Sequence, residues 1–255
     1  MILNYQIQTH ETSTLAPMVF IHGLFGSLSN LGMLARHFSE QATTIQIDVR
    51  NHGLSGHSDE VNYQIMAEDI LETLASLNIK KFIAVGHSMG GKIAMKLADL
   101  ASDLIEKLVV LDITPIQYQE NHHSEIFKAL FAVQQAQVAS RNEAAKIMRE
   151  YIQEEMVIQF LLKSFNKGQW LFNVQALFDH YEDITAWNKI EKNELPALFL
   201  RGGNSSYISK PEHFEAINQQ FIHAQVEVIE NAGHWLHGEK TAEVLQHMQN
   251  FIDEK

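Results

Sequence analysis

The sequence predicts an α/β fold: a mostly parallel, doubly wound sheet with a helical lid inserted between two of its strands. Two observations lead to this prediction. Short apolar runs alternate with helical patterns over the first 113 residues and again after residue 196, which is typical of a parallel sheet covered on both faces. Between these parts, residues 116–187 contain no proline and a single glycine, Gly168.

The strands are predicted from short apolar runs rich in β-branched side chains. They are Ile2–Gln8, Met18–Ile21, Thr43–Val49, Phe82–Val85 and Lys107–Ile113, followed by 197–201 and 225–229. Apolar residues recur at helical spacing between them, as in Asn30–Phe38 and Met66–Leu77, and again at Ala242–Ile252.

The stretch 116–187 differs from the rest of the chain. Twelve of the 13 glycines lie outside it, whereas apolar residues such as Ala144 and Ile147 keep helical spacing within it. We therefore predict a core of residues 1–115 and 188–255 and an all-helical lid of residues 116–187. The lid carries 11 of the 23 aromatic residues, which either hold its helices together or roof an apolar pocket for an acyl group.

Composition narrows the class of protein. The net charge of −12 argues against nucleic acid or an anionic membrane surface as partner. The absence of cysteine excludes disulfides, thiolate catalysis and cysteine-ligated metals. The first residues lack the basic and then apolar pattern of a signal peptide, and no apolar run reaches the roughly 18 residues that span a bilayer. We expect a cytoplasmic monomer or weak homodimer without a cofactor.

The most informative motif is Gly86–Gly90, which reads G-x-S-x-G. It follows the apolar run Phe82–Val85 and precedes a helical pattern, which is the strand–turn–helix context of a nucleophile elbow. Such a turn strains the backbone of Ser88 and lifts its hydroxyl clear of the sheet. Gly86 and Gly90 lack side chains because strand and helix must pass closely there.

A serine hydroxyl is a weak nucleophile and needs a base that a third group orients. His234 follows the last predicted strand, at the edge where active sites of open α/β sheets lie, and is the predicted base. The other candidates are His22, His87, His122, His123 and His237. His22 and His87 are expected to shape their loops through side-chain hydrogen bonds. The other three could suggest a metal site, but they lack an H-E-x-x-H pattern or a carboxylate partner, so no metal is predicted.

The orienting acid is predicted from the strand ends. The loop 201–207 after the next-to-last strand contains no carboxylate, whereas the strand before the lid ends near Asp112. Asp112 is therefore the predicted acid, with a loop cap as its alternative role. Asp48 also ends a strand but is more plausible as a loop brace through Arg50. Ser205 is predicted to donate a hydrogen bond to Asp112 and hold it in place.

An oxyanion hole needs two N–H donors aimed at the developing charge. One is predicted to be Met89, the residue after the nucleophile. The other is predicted to be Leu24, because Gly23 and Gly26 let the loop after the second strand bend toward Ser88.

Several motifs, a lid segment and a loop together indicate a family. They are His22–Ser27, Asp48–Ser55, Gly86–Lys92, Leu111–Pro115, Ala232–Trp235, Phe160–Phe165 and Arg201–Ser205. Over nearly the full length, the chain resembles the YbfF-type acyl esterases of the α/β-hydrolase superfamily. Ser206 departs from this pattern, since proline is expected there, and the departure should change loop stiffness rather than chemistry.

The resemblance implies a serine esterase or thioesterase that acts on short- to medium-chain acyl esters, with acyl-CoA among the candidate substrates. The order Ser88, Asp112, His234 matches the chain order of α/β-hydrolase triads. The predicted partner is thus a small-molecule acyl ester or thioester.

Two other function classes stay open, because a fold does not fix function. A lyase or C–C bond hydrolase, as in menaquinone synthesis, would reuse the serine and need extra polar pocket residues, for which Lys92 and Arg50 are candidates. A ligand receptor would keep the serine without turnover. For an esterase, Phe25, Trp170 and Trp235 are predicted to line the substrate pocket.

Overall fold

The computed structural model describes residues 1–119 and 123–254. The strands of these residues are β1 (Tyr5–Gln8), β2 (Met18–Ile21), β3 (Thr44–Ile47), β4 (Phe82–His87), β5 (Ile105–Leu111), β6 (Phe165–Asn166), β7 (Gln169–Trp170), β8 (Ala197–Gly202) and β9 (Ala224–Ile229). Seven of them form the main sheet in the order β1-β3-β2-β4-β5-β8-β9, and β6 and β7 form a small second sheet.

The main sheet is parallel except at one edge. β1 pairs with β3 in the antiparallel sense, and every other neighbouring pair is parallel. The central strands β2 and β4 are buried along their whole length, which explains why they are uniformly apolar in the sequence. The carboxyl ends of the parallel strands all lie at one edge of the sheet, and this edge positions the site described below.

Helices cover both faces of the sheet. Those of the described residues are α1 (Gly32–Phe38), α2 (Tyr63–Ser76), α3 (Met89–Leu100), α4 (Ser124–Ala136), α5 (Arg141–Met148), α6 (Glu155–Leu162), α7 (Val174–Asp179), α8 (Tyr181–Thr185), α9 (Pro211–Gln220), α10 (Leu236–Glu239) and α11 (Thr241–Asp253), with 3₁₀ turns at Leu28–Leu31 and Ser102–Leu104. Apolar residues of α2, α3 and the lid share one core, and those of α1 and α11 share the other. Within residues 1–119 and 123–254, no helix combines the length and apolarity needed to cross a bilayer.

The segment between β5 and β8 contains helices α4 to α8, in the region predicted as the lid. It is not all-helical, because β6 and β7 form a hairpin in which Phe165 pairs with Trp170. Lys167 and Gly168 connect the two strands with φ angles of 48° and 81°. Two consecutive positive φ values are what a tight two-residue hairpin turn requires. The single glycine of this region thus marks a turn, and the limits 116 and 187 stay a prediction.

Candidate active site

Ser88 lies on the turn between β4 and α3, with a φ of 54°. This left-handed backbone is strained for a residue with a side chain. The close packing around the turn holds Ser88 in this conformation. A Cβ added at Gly86 would lie 2.1 Å from the carbonyl oxygen of Gly90, and a Cβ added at Gly90 would lie 2.2 Å from the carbonyl oxygen of Ile21. The Ser88 amide also donates to the Leu111 carbonyl at 2.9 Å. Strand and helix therefore pass at backbone distance and hold the hydroxyl at the sheet edge.

Asp112 lies one residue beyond β5 and is fully buried. A buried carboxylate is costly unless donors surround it. The Gly202 amide donates to Oδ1 at 2.9 Å, and His234 Nδ1 lies 2.7 Å from Oδ2. The Ser205 hydroxyl donates to Oδ2 as well. The end of β8 and the loop after it thus supply two of the three donors.

The imidazole of His234 connects Asp112 to Ser88. Because a carboxylate only accepts hydrogen bonds, Nδ1 carries the hydrogen. Nε2 is then an acceptor, and it lies 2.9 Å from the Ser88 hydroxyl oxygen. The Tyr207 ring stacks on the imidazole with centroids 4.0 Å apart, and His87 Nε2 donates to the His234 carbonyl at 2.9 Å. The ring is therefore held by Asp112, Ser88 and Tyr207, and the His234 backbone is held by His87.

The two histidines next to His234 are electrically neutral. Burial lowers the pKa of His87 well below its ordinary value and lowers that of His237 to about 3. The rings of His87 and His237 lie 4.3 Å apart. His87 thus positions a backbone carbonyl, in agreement with the loop-shaping role expected for it.

The loop after β2 borders the nucleophile. A Cβ added at Gly23 would lie 3.3 Å from the Ser88 Cβ, so this backbone passes close to the elbow. Phe25 has a φ of 63°, and its amide donates to His52 Nε2 at 3.1 Å, which fixes the bend. Leu24, predicted as an oxyanion donor, therefore lies in a loop held beside Ser88.

Two cavities of about 40 Å³ each open beside Ser88, and Leu24 lines both. The first, named here the tyrosine cavity, is lined by Tyr63, Tyr118, Tyr181 and Tyr207, by Met89 and Lys92 of α3, and by Ile184 and Thr185 of α8. The second, the histidine cavity, is lined by His87, His234 and His237 and by Phe25, Phe160 and Trp235. Met89, the other predicted oxyanion donor, thus borders the tyrosine cavity.

One of the three predicted pocket residues lies elsewhere. Phe25 and Trp235 line the histidine cavity, but Trp170 is not among the described residues that line either cavity. Its Nε1 donates to the Leu130 carbonyl at 3.2 Å, and its ring stacks on Phe172 at a centroid distance of 5.3 Å. The structure therefore corrects its placement: Trp170 packs the hairpin against α4 inside the lid.

The two cationic candidates differ in position. Lys92 lines the tyrosine cavity, and burial lowers its pKa to about 7. Arg50 instead binds Asp69 of α2, with its Nε 2.6 Å and a terminal nitrogen 2.9 Å from the carboxylate. The expectation that Arg50 links to Asp48 is wrong, because Asp48 accepts hydrogen bonds from other donors.

The structure describes two of the three histidines weighed as metal ligands, His123 and His237. In the described part of the chain, no three side chains of the types His, Cys, Asp and Glu are arranged to hold a metal ion. His123 Nδ1 lies 2.6 Å from the Tyr181 hydroxyl, and His122 lies outside the described residues.

Sequence reasoning missed two residues that contact the Ser88–His234–Asp112 group. Tyr207 and Gly202 lie in the 201–207 stretch, from which the sequence predicts Ser205 alone as a partner of Asp112. A tyrosine and a glycine flanking Ser205 could have indicated ring stacking and a close backbone donor. Burial raises the pKa of Tyr207, so its hydroxyl stays neutral while its ring stacks on His234.

Comparison with known proteins places the chain in a family. The model of the alpha/beta hydrolase fold family matches residues 16–241, and the chain belongs to this family. It is 47% identical over 255 residues to Esterase YbfF from Escherichia coli K12, covering 100% of both chains. It is 34% identical to mouse sn-1-specific diacylglycerol lipase ABHD11, over 94% of this chain and 82% of the relative.

Among solved structures, one titled Marine microorganism esterase superposes with a TM-score of 0.92 at 31% identity, covering 98% of this chain and 99% of that one. The predicted fold class and the predicted resemblance are therefore confirmed.

Proposed function

We propose that this protein is a serine esterase that hydrolyses short-chain acyl esters and thioesters through an acyl-enzyme. Its relatives at 47% and 34% identity are named an esterase and a lipase, so the chain is a hydrolase acting on esters. The thioester substrates and the cytoplasmic location stay predictions.

One observation carries the proposal. The Ser88 hydroxyl, the His234 imidazole and the buried Asp112 carboxylate form a continuous chain of hydrogen bonds at 2.9 and 2.7 Å. These distances are within the range in which a base can take the proton of a nucleophile.

The mechanism follows from this chain. Ser88 attacks the ester carbonyl while His234 Nε2 accepts its proton, and Asp112 holds the tautomer and stabilises the imidazolium. The amides of Leu24 and Met89 would donate to the oxyanion. His234 then protonates the leaving group and later activates the water that hydrolyses the acyl-enzyme. Ser205 and Gly202 keep Asp112 in place through its two oxygens.

The position of His234 also supports a role for each of the two cavities. The imidazole must reach the leaving-group atom to protonate it, and His234 lines the histidine cavity but is not among the residues of the tyrosine cavity. We therefore place the leaving group in the histidine cavity and the acyl group in the tyrosine cavity. A water-sized group occupies about 10–15 Å³, so a cavity of about 40 Å³ favours an acyl chain of about two to four carbons.

The lyase or C–C hydrolase alternative has less support. Arg50 is bound to Asp69, which leaves Lys92 as the one of the two candidates that lines a cavity at Ser88.

The test combines turnover with covalent labelling. Nitrophenyl esters and CoA thioesters of two to sixteen acyl carbons are offered, and the protein is treated with a fluorophosphonate. We expect turnover to be highest for the shortest nitrophenyl esters and a single label on Ser88. Ser88→Ala should lower kcat by about 10⁵- to 10⁶-fold and abolish the label, whereas Ser76→Ala, which removes a hydroxyl from α2, should change neither.

A labelled Ser88 with negligible turnover of every ester would favour a ligand receptor instead. Turnover that survives in Ser88→Ala would remove Ser88 from the mechanism.

A further inference from the structure

Lys92 carries a buried amino group that the proposed mechanism does not use. It lies on α3 four residues after Ser88, so the two residues share one face of the turn and helix. Its residue exposure is 1%, and lysine is almost never buried to this extent without partners. Among the described residues, no carboxylate lies within ion-pair distance of its ammonium group.

Backbone carbonyls take the place of a carboxylate. Lys92 Nζ donates to the carbonyls of Thr185 at 3.0 Å and Ala186 at 2.9 Å, where α8 ends. The last carbonyls of a helix have no partner within the helix and carry a partial negative charge. The rings of Tyr63 and Tyr118 lie 5.5 and 5.0 Å from Nζ, close enough for cation–π attraction.

Two further donors bind the same end of α8. The Tyr63 hydroxyl donates to the Ile184 carbonyl at 2.5 Å, and the Tyr118 amide donates to the Thr185 carbonyl at 3.0 Å. Three consecutive carbonyls are thus held from α2, from α3 and from the segment after β5. Lys92 is the member of this set that belongs to the helix of the nucleophile.

The contact matters for the cavity because α3 and α8 both contribute residues to its lining. Met89 and Lys92 of α3 line the tyrosine cavity together with Ile184 and Thr185 of α8, and Lys92 bonds to the end of α8. The separation of the two helices therefore sets the width of the space beside the nucleophile.

We propose that Lys92 is a positioning residue that holds the end of α8 against α3 and thereby restricts the tyrosine cavity to short acyl groups. The inference rests on the proposed esterase function and on the placement of the acyl group in this cavity. Lys92 acts on chain-length selectivity through α8 and takes no part in proton transfer.

The test compares two substitutions of Lys92. Lys92→Met keeps the length of the side chain and removes the ammonium donor, whereas Lys92→Ala also removes volume. For nitrophenyl esters, we expect Lys92→Met to raise KM for the acetyl ester about tenfold and to raise the octanoyl-to-acetyl ratio of kcat/KM at least about tenfold, because losing a charged hydrogen bond costs roughly 1.4 kcal/mol or more. The kcat for the acetyl ester should stay within about threefold, since the catalytic groups remain in place.

Two other variants complete the test. Tyr63→Phe removes the donor to the neighbouring Ile184 carbonyl and should shift the same ratio in the same direction by a smaller factor. Lys96 lies one turn further along α3 and pairs with Asp99 at 2.7 Å. The control variant Lys96→Met should leave the octanoyl-to-acetyl ratio at the wild-type value.

The outcomes separate the inference from the proposed function. If Lys92→Ala shifts the ratio and Lys92→Met does not, only volume matters and the inference is overturned. If Lys92→Met does not fold, as judged by circular dichroism, Tyr63→Phe decides, and an unchanged ratio there overturns the inference. If the wild-type protein turns over no ester, both the proposed function and this inference are wrong. If the wild type is active and Lys92→Met has the wild-type octanoyl-to-acetyl ratio, only this inference is wrong.

Discussion

Two buried carboxylates, Asp48 and Asp112, lie one residue beyond β3 and β5 at the same edge of the sheet. Both are almost inaccessible to solvent, and both accept three hydrogen bonds. For Asp48 the donors are the amides of Leu28 at 2.7 Å and Leu54 at 2.9 Å and the side chain of Asn4 at 2.7 Å. These donors come from three separate segments near the sheet edge, so Asp48 holds those segments together.

The donors of Asp112 differ in one respect. Two of them, Gly202 and Ser205, fix the carboxylate, but the third is the imidazole of His234, which reaches Ser88. Burial and strand position are shared by the two sites and therefore do not distinguish them. What distinguishes a loop brace from a catalytic acid is whether one donor connects onward to a nucleophile.

The same contrast applies to two imidazoles. His52 Nδ1 donates to the Arg50 carbonyl at 2.9 Å, and its Nε2 accepts from the Phe25 amide at 3.1 Å. His234 uses the same two nitrogens toward Asp112 and Ser88. Both rings are fixed in one tautomer. The Nε2 atom of His52 accepts from a backbone amide, however, whereas that of His234 faces the Ser88 hydroxyl, which can react.

The largest effect is expected from the matched pair Asp112→Asn and Asp48→Asn. By analogy with measured triads, Asp112→Asn should lower kcat about 10⁴-fold, because the amide favours the wrong tautomer of His234. Asp48→Asn should leave kcat within about tenfold and lower the free energy of unfolding by about 1–3 kcal/mol, since one buried acceptor is replaced by a donor. Nitrophenyl-ester kinetics and urea unfolding measure the two quantities.

Equal losses of kcat in the two variants would erase the proposed difference between the carboxylates. Near-normal turnover by Asp112→Asn would require another acid.

The contrast also explains what could be predicted from the sequence. The strands, the elbow and the partners of Ser88 follow from local patterns: apolar runs, a G-x-S-x-G turn and polar residues at strand ends. Parallel strands then bring their carboxyl ends to one edge whatever their separation in the chain. The grouping of Asp112 and His234 could therefore be anticipated as a matter of topology.

The predictions that failed depend on packing between distant segments. Arg50 binds Asp69 rather than Asp48 because α2 packs its buried carboxylate against the guanidinium, and no local pattern encodes that pairing. The sequence predicts Trp170 in the substrate pocket because an aromatic residue of the lid can either cover an apolar pocket or pack between the lid helices. The hairpin at Gly168 was missed because each of its strands has only two residues, too few to show a period of two.

A smaller effect is expected at Ser205, which tests how the acid is held. Ser205→Ala removes one of the two donors that fix Asp112 and leaves the Gly202 amide in place. We expect kcat to fall about tenfold with KM unchanged, because losing one hydrogen bond to a charged group costs roughly 1.5 kcal/mol or more. Ser206→Ala, at the exposed neighbouring position, is the matched control. A change in KM instead of kcat would place Ser205 with the substrate rather than with Asp112.

The last effect concerns His52 and appears in the pH dependence of the free energy of unfolding. Burial lowers the pKa of His52 from 6.5 to about 3. Between these values the unfolded chain binds a proton that the folded protein does not, so stability is retained above about pH 6.5 and lost as the pH falls toward 3. The loss is up to about 1.4 kcal/mol per pH unit, and the lowered pKa values of His22, His87 and His237 add to it.

His52→Gln keeps an acceptor for the Phe25 amide and removes the titrating group. The free energy of unfolding, measured in urea between about pH 7.5 and 4.5, should therefore fall less steeply with acid in this variant, by up to about 1.4 kcal/mol per pH unit below about pH 6.5. His57→Gln removes an exposed histidine and should keep the wild-type slope. If His52→Gln also keeps the wild-type slope, the His52 ring is protonated in the folded protein. The ring would then not have one donating and one accepting nitrogen, and the comparison with His234 would not hold.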